Sequence, residues 1–353
     1  MSQHTAPLQQ RRVAVKERDT QLWQATGRLR NWLRLFGLYL RDRNQLNGTA
    51  ERLIELLRLL IVLIVLICST VMLVNLVDSI HVHKNLLGSE QMRKLSIVIW
   101  YIQGIASIYF LAKWQVLGQL REFSVHVEAF SGGVGVMKQR NRIRRRINAI
   151  IIQWLILGAS PAIYVGVIIY VSVIAGWDGV ISFMVNGGKG DPTQLTGWRY
   201  TLFDSGLIMP AFSMCLLNIF INTASYLALC VFSVCCFAVY GEIRQYNDEL
   251  REHLSALGDC DVLLDYLVRH TELSRLVERL NEIFRHYVMF VFITNVPTMV
   301  LLAYSKLRDS ATLVNLDTGV PTVWIFVGAL LAILEYALKF TYLSFKPADI
   351  HVE

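Results

Sequence analysis

LLIVLIVLICSTVMLVNLV, from Leu59 to Val77, contains no charged residue. As a helix rising about 1.5 Å per residue it crosses a hydrocarbon core of about 30 Å. Five further runs are predominantly apolar: Leu95 to Ala112, Ile147 to Trp177, Thr201 to Tyr240, Tyr287 to Tyr304, and about Val320 to Phe345. Pro161 interrupts the third and predicts a kink, because its ring leaves a carbonyl without a partner. The composition agrees. Of 353 residues, 54% are hydrophobic and 17% charged, and the mean hydropathy is +0.44. Ordinary soluble domains run at about 45–50% apolar and about 25% charged. A disordered chain, a nucleic-acid-binding tail and a small disulfide scaffold are excluded. The predicted fold class is all-α, a multi-pass helical membrane protein with six spans.

The fourth run decides the count. As one helix it is about 60 Å long, twice what a span needs. Pro210 lies too near its start to divide it, and Asn218 to Ser225 holds no Gly or Pro. One long helix that protrudes from the bilayer is expected. The Lys and Arg residues agree, because they mark cytoplasmic loops. Ten precede span one between Arg11 and Arg52, seven follow span two between Arg121 and Arg146, and six follow span four between Arg244 and Arg285. The intervening loops carry only Lys84, Arg93 and Lys94, then Lys189 and Arg199, then Lys306 and Arg308. This alternation places the N-terminus in the cytoplasm and would be inverted downstream by a divided fourth span.

The expected organisation follows. Residues 1–58 are a cytoplasmic N-terminus in which Gln21 to Arg41, QLWQATGRLRNWLRLFGLYLR, reads as an interfacial amphipathic helix. Residues 59–240 hold spans one to four, 241–286 a cytoplasmic helical anchor region, 287–345 spans five and six, and 346–353 a cytoplasmic tail. No signal peptide is visible in the polar stretch Met1 to Thr20. Of the six cysteines, Cys68, Cys215, Cys230, Cys235 and Cys236 fall in spans and Cys260 in the cytoplasm, so no disulfide framework is implied. Cys235 and Cys236 are small hydrophobes for packing, with palmitoylation as the alternative reading.

In the anchor region Leu263, Leu267, Leu273, Leu276, Leu280 and Ile283 recur mostly at three- and four-residue steps among charged residues. Two helices broken near Gly258-Asp259 are expected, the second running into span five. Their apolar stripe needs cover from elsewhere in the chain or from another subunit.

Catalytic signatures are missing. There is no Walker loop, HExxH, GxSxG or paired CxxC, and the HxH of His81 and His83 reads as two solvated loop histidines. No enzyme activity, cofactor, metal or nucleic-acid partner is expected. Polar groups inside spans are costly and invite functional hypotheses. Glu335 and Lys339, four apart on span six, form an intramembrane ion pair, read as structural before ion-conducting. Gln103, Asp204, Asn218, Asn222 and Asn295 lie in or at the mouths of spans, beside the outer-half aromatics Trp100, Tyr101, Tyr164, Tyr170 and Trp324. An apolar cavity with a few polar groups suits a small molecule. The candidate ligand pocket is therefore Trp100, Tyr101, Gln103, Tyr164, Tyr170, Asp204, Asn295 and Trp324, with Asp204 the best single contact. Interfacial belts and interhelix hydrogen bonds use the same residue types.

Two stretches carry a family resemblance. Leu29 to Leu40, LRNWLRLFGLYL, is similar to the entry helix of the insect gustatory receptor family, within the insect chemoreceptor channel superfamily. Leu264 to Leu302, LDYLVRHTELSRLVERLNEIFRHYVMFVFITNVPTMVLL, resembles that family's cytoplasmic helix running directly into the fifth span. The overlong fourth helix and the cytoplasmic N-terminus fit as well. The family has a seventh span with a Thr-Tyr-(five apolar)-Gln-Phe signature. Here Thr341-Tyr342 is followed by LSFKP, and the signature fails.

The resemblance implies a plasma-membrane subunit of a homo- or hetero-tetrameric cation channel, gated by small-molecule tastants, whose seventh span lines the pore. It also implies a chain one helix short, either truncated or no longer conducting, with truncation preferred. A gustatory receptor subunit ranks first, a non-conducting regulatory or assembly partner second, and a secondary transporter third, because no matched broken-helix halves are found.

Overall fold

In the computed structural model the described residues are 20–40, 49–81, 89–131, 133–157, 208–253 and 260–310, with positions 334 and 337. Their regular structure is entirely helical. In chain order the helices are α1 (Gln21–Ala25), α2 (Gly27–Leu35), α3 (Thr49–His81), α4 (Ser89–Val116), α5 (Gln119–Ser131), α6 (Val134–Leu157), α7 (Ile208–His253) and α8 (Cys260–Ser310). Four are long and apolar enough to cross a membrane, over Glu51–Val71, Leu95–Val116, Ile219–His253 and Leu263–Tyr304. They contain the first, second and fifth expected spans and residues 208–240 of the fourth. Of the third and sixth, only residues 147–157, 334 and 337 are described.

From residue 208 onward the fourth run is one undivided helix, α7, of 46 residues. At about 1.5 Å per residue it is about 70 Å long, so it must project beyond any bilayer. It is also the centre of the bundle, since every residue from Ile221 to Cys236 is buried. A helix apolar on all sides needs cover on all sides, and α4 and α6 supply most of it. Cys235 and Cys236 are sealed in this packing. At the opposite extreme is α3. It rests on α4 and leaves Leu53, Leu57, Leu60, Leu63, Ile64 and Ile67 exposed, the surface expected of a helix facing lipid.

The fifth span begins without a break from the charged segment before it, as the 51-residue α8, with Pro297 inside. Its beginning is fastened to the end of α7. Tyr246 donates to the Tyr266 carbonyl at 3.2 Å, Tyr266 donates to the Glu249 carbonyl at 3.1 Å, and Arg269 pairs with Glu249 at 2.6 Å. Helix α7 ends at His253 and α8 starts at Cys260, on either side of the expected break at Gly258-Asp259.

The N-terminal segment differs from the single interfacial helix expected over 21–41. It is two short helices that turn at Thr26, whose hydroxyl bonds back to the Leu22 carbonyl at 3.0 Å. Leu22, Ala25, Leu29 and Leu33 are buried against the chain's own helices, α1 packing chiefly on α6 and α5 and α2 on α7 and α6. The apolar side is thus covered by protein, while Leu35 is exposed.

At the arginine-rich end, α6 crosses α7 with backbones in contact. A Cβ on Gly135 would lie 2.5 Å from the Gly241 carbonyl oxygen, so only glycine fits. The next residue, Glu242, is fully buried and accepts the Val136 N–H at 3.0 Å, satisfying a free donor at the start of α6.

Candidate functional site

One aromatic knot sets the register of three helices. The fully buried Trp114 of α4 donates its indole N–H to the Ile283 carbonyl of α8 at 3.2 Å. Its ring meets Phe284 and Tyr287 edge-on, with centroids at 4.6 and 5.2 Å. Phe284 meets Phe232 of α7 at 5.4 Å, and Phe110 meets Tyr287 at 5.7 Å. These pairs run α4 antiparallel to α8.

Counting from the knot away from the arginine-rich end, eleven residues back along α4 reach Gln103, and eleven forward along α8 reach Asn295. Ten back along α7 reach Asn222. The climb is about 15–17 Å in each helix, so the three amides share one level. A close contact at this level confirms the count: a Cβ on Gly104 would fall 1.9 Å from Ile221 Cγ2. Eleven residues are almost three whole turns. Gln103 and Asn295 therefore project from the same helix faces as Trp114 and Phe284, toward each other across the α4–α8 seam.

These amides are buried yet unsatisfied. Gln103, Asn222 and Asn295 expose 2%, 3% and 0% of their surface. Gln103 Oε1, Asn222 Oδ1 and both Asn295 Oδ1 and Nδ2 have no hydrogen-bond partner among the described residues. The neighbouring hydroxyls do not serve them. Ser107 bonds to the Gln103 carbonyl at 2.8 Å, Thr294 to the Phe290 carbonyl at 2.9 Å, and Thr298 to the Thr294 carbonyl at 2.7 Å. Each buried polar atom left unpaired costs about 1–3 kcal/mol, so the layer holds unused hydrogen-bonding capacity in an apolar surround. Pro297 adds to it. Having no N–H, it deprives the Ile293 carbonyl of its helical donor.

Four expected pocket residues come together here. Trp100 and Tyr101 lie within one turn of Gln103, with their rings edge-on at 5.4 Å, and Asn295 stands across the seam. Tyr164, Tyr170, Asp204 and Trp324, and the expected pair Glu335 and Lys339, lie outside the described residues. In the expected anchor, Leu273, Leu276, Leu280 and Ile283 are buried within the chain, whereas Leu263 and Leu267 are exposed beside Leu264 and Val268. The described residues include no group of three His, Cys, Asp or Glu placed to hold a metal.

A concavity of about 410 Å³ lies at the arginine-rich end between α5 and α8, lined in part by Glu122, His126, Phe130, Arg275, Leu276 and Arg279. Its arginines are already engaged, Arg275 with Glu272 at 2.6 Å and Arg279 with Glu122 at 2.7 Å and Glu282 at 2.9 Å. It is an ionic seam between two helices and contrasts with the unpaired amide layer. Asn222, a polar span residue outside the expected pocket, joins that layer, its Oδ1 having no partner among the described residues. Gln115 and the buried Glu242 were missed, since nothing near them in sequence distinguishes them from polar residues at helix ends.

Comparison with known proteins yields two likenesses. Residues 205–347 match the family described as Caenorhabditis protein of unknown function, DUF267. No curated protein matches. Among solved structures, the insect olfactory receptor OR5 from Machilis hrabei, determined in complex with eugenol, aligns with a TM-score of 0.59 at 12% identity. The alignment covers 92% of this chain and 79% of that receptor. At this identity the likeness is one of fold. The chain has a helical membrane-protein fold similar to that of an insect chemoreceptor, while the family matched by sequence is a Caenorhabditis one.

Proposed function

We propose that the chain is a chemosensory receptor subunit of the plasma membrane, belonging to a tetrameric ligand-gated cation channel. The amide layer of Gln103, Asn222 and Asn295 is the observation that carries this reading, and the fold likeness to an olfactory receptor supports it. By the spans read from sequence the layer lies near the middle of the bilayer, because Gln103 is eight residues from Leu95 and nine from Ala112, and Asn295 is eight from Tyr287 and nine from Tyr304. A small uncharged molecule with both a donor and an acceptor satisfies these amides, and its apolar body packs against Trp100 and Tyr101. Binding promotes opening only as far as the ligand prefers the open state. The continuous helix α8 joins Asn295 to the cytoplasmic Leu273–Ile283 segment, so a shift at the ligand has a rigid route inward. In this proposal the ligands are small-molecule tastants.

The exposed leucines at the start of α8 favour a second reading, an assembly partner for other receptor subunits. Currents separate the two. The chain is expressed alone and with a seven-span relative, and a panel of small uncharged organic compounds is applied. The receptor reading expects an evoked cation current that Gln103→Leu and Asn295→Leu abolish at unchanged surface expression. Current that needs the relative and ignores both substitutions favours the partner reading. No evoked current in either arm sinks the receptor reading.

A further inference from the structure

The exposed face of α6 changes character along its length. Lys138, Arg142, Arg145, Ala149 and Ile152 are all exposed, and they follow one another at steps of four, three, four and three residues. That spacing draws a single stripe along one side of a helix. Its first half is cationic and its second half apolar, with Leu155 exposed beside the apolar end. The whole helix, VGVMKQRNRIRRRINAIIIQWLIL, contains no acidic residue. Neither Arg142 nor Arg145 meets a carboxylate among the described residues. Lys138, at the far end, lies near Glu249, which Arg269 already occupies.

A further cation is brought to this stripe. Arg28 of α2 is exposed and donates to Asn148 Oδ1 at 2.8 Å. Asn148 is three residues beyond Arg145, so the Arg28 guanidinium sits one turn away from it. The placement is held by aromatic packing, with Trp32 and Phe36 of α2 edge-on to Trp154 of α6 at 5.4 and 5.6 Å. Like charges gathered with no acid beside them among the described residues repel one another, and an external anion relieves the arrangement.

The depth of the stripe identifies that anion. The Arg146 guanidinium lies over the Phe237 ring of α7, 5.8 Å from its centroid. In α6 the apolar run opens at Ile147. Arg142 and Arg145 therefore stand where α6 leaves the hydrocarbon, at the level of lipid phosphates, and Ile152 and Leu155 stand at the level of acyl chains.

We propose that this face of α6, together with Arg28, seats an anionic phospholipid, its headgroup phosphates on Arg142, Arg145 and Arg28 and one acyl chain along Ile152 and Leu155. The inference rests on the membrane-spanning reading and is independent of any sensory function. Guanidinium groups suit it because they hold phosphate oxygens through paired N–H donors.

The test uses the full chain purified in an uncharged detergent. The probes are dioctanoyl phosphatidylinositol bisphosphate, inositol trisphosphate as the headgroup alone, and inorganic phosphate. Saturable binding of the short-chain lipid is expected, on the order of tenfold tighter than inositol trisphosphate, because two acyl chains add apolar contact. The double variant Arg142→Gln/Arg145→Gln, which alters only exposed side chains, is expected to weaken it by on the order of tenfold or more at an unchanged melting temperature. Arg28→Gln weakens it less, and Arg275→Gln, an exposed arginine on α8 paired with Glu272, leaves it unchanged. Three outcomes overturn the proposal: no saturable lipid binding, equal affinity for headgroup and lipid, or an equal loss in Arg275→Gln.

Discussion

Two glutamines on α4, Gln103 and Gln115, lie about three turns apart, and both are buried. At Gln115 the amide is fully employed. Its Oε1 accepts the Leu40 N–H at 2.9 Å, and its Nε2 donates to the Leu38 and Leu111 carbonyls, both at 2.9 Å. It thereby buckles the segment after α2 to the bundle. Gln103 faces Asn295 across a seam, and its Oε1 has no partner among the described residues. The difference teaches how to read polar residues in apolar helices. A satisfied amide is part of the structure, whereas an unsatisfied layer is capacity held for something else.

Substituting each glutamine by leucine tests that contrast directly. Gln115→Leu strands the Leu40 N–H and the Leu38 carbonyl, and is expected to destabilise the chain by about 3 kcal/mol. Gln103→Leu removes an unpaired acceptor at similar volume, and is expected to be neutral or to stabilise by up to about 1 kcal/mol. Thermal melting of both variants in one detergent is the measurement. Equal losses would break the comparison, because they would mean that Gln103 also holds the structure together.

A different contrast concerns the crossings on α7. Near Gln103 a glycine meets a side chain, Ile221, whereas at the arginine-rich end Gly135 meets the Gly241 carbonyl itself. A side chain yields by changing rotamer, but a backbone carbonyl yields only if a helix moves. Gly135→Ala is therefore expected to cost about 1–3 kcal/mol through overpacking. It should also weaken the bond from Val136 N–H to Glu242, one residue further on. Melting together with hydrogen exchange at the start of α6 reads both effects. Unchanged exchange there would show that the crossing opens without disturbing the cap.

What was legible in sequence follows from the range of the forces involved. Local hydropathy and the lack of Gly or Pro in Asn218 to Ser225 revealed α7 as one helix, and the leucine spacing revealed α8 running into a span. Gln103 and Asn295 stood out because polarity inside an apolar run is visible one residue at a time. Their shared level was hidden. It depends on Trp114 meeting Phe284 and on Gly104 meeting Ile221, contacts between residues far apart in the chain. Glu242 looked like the first charge of a solvated stretch, and only its burial against Val136 reveals a cap. The segment 21–41 carries the pattern of a membrane-surface helix, and its buried leucines are covered instead by α5, α6 and α7, because an apolar face accepts protein as readily as lipid.

The smallest expected effect concerns how the N-terminal segment is fastened at its other end. Gln115 binds the Leu40 N–H with a neutral amide, whereas Glu128 of α5 binds the Gln21 N–H with a carboxylate, at 2.9 Å. Burial raises the Glu128 pKa above its ordinary value, and the bond from Gln21 only partly opposes the rise. A carboxyl whose folded pKa exceeds its unfolded one contributes stability that is complete below the unfolded pKa and is lost as pH rises through the folded one. At about pH 7 the ionised Glu128 is thus a small burden, limited by its solvent contact to under about 1 kcal/mol. Glu128→Gln keeps an oxygen for the Gln21 N–H and removes the titration. The variant should melt slightly above the wild type at about pH 7, with the gap closing toward about pH 4 as the wild-type carboxyl takes up its proton. A wild type that is the more stable at about pH 7 and loses that lead on acidification would reverse the sign. It would show that the ionised carboxylate strengthens this clasp in a way the neutral amide of Gln115 cannot.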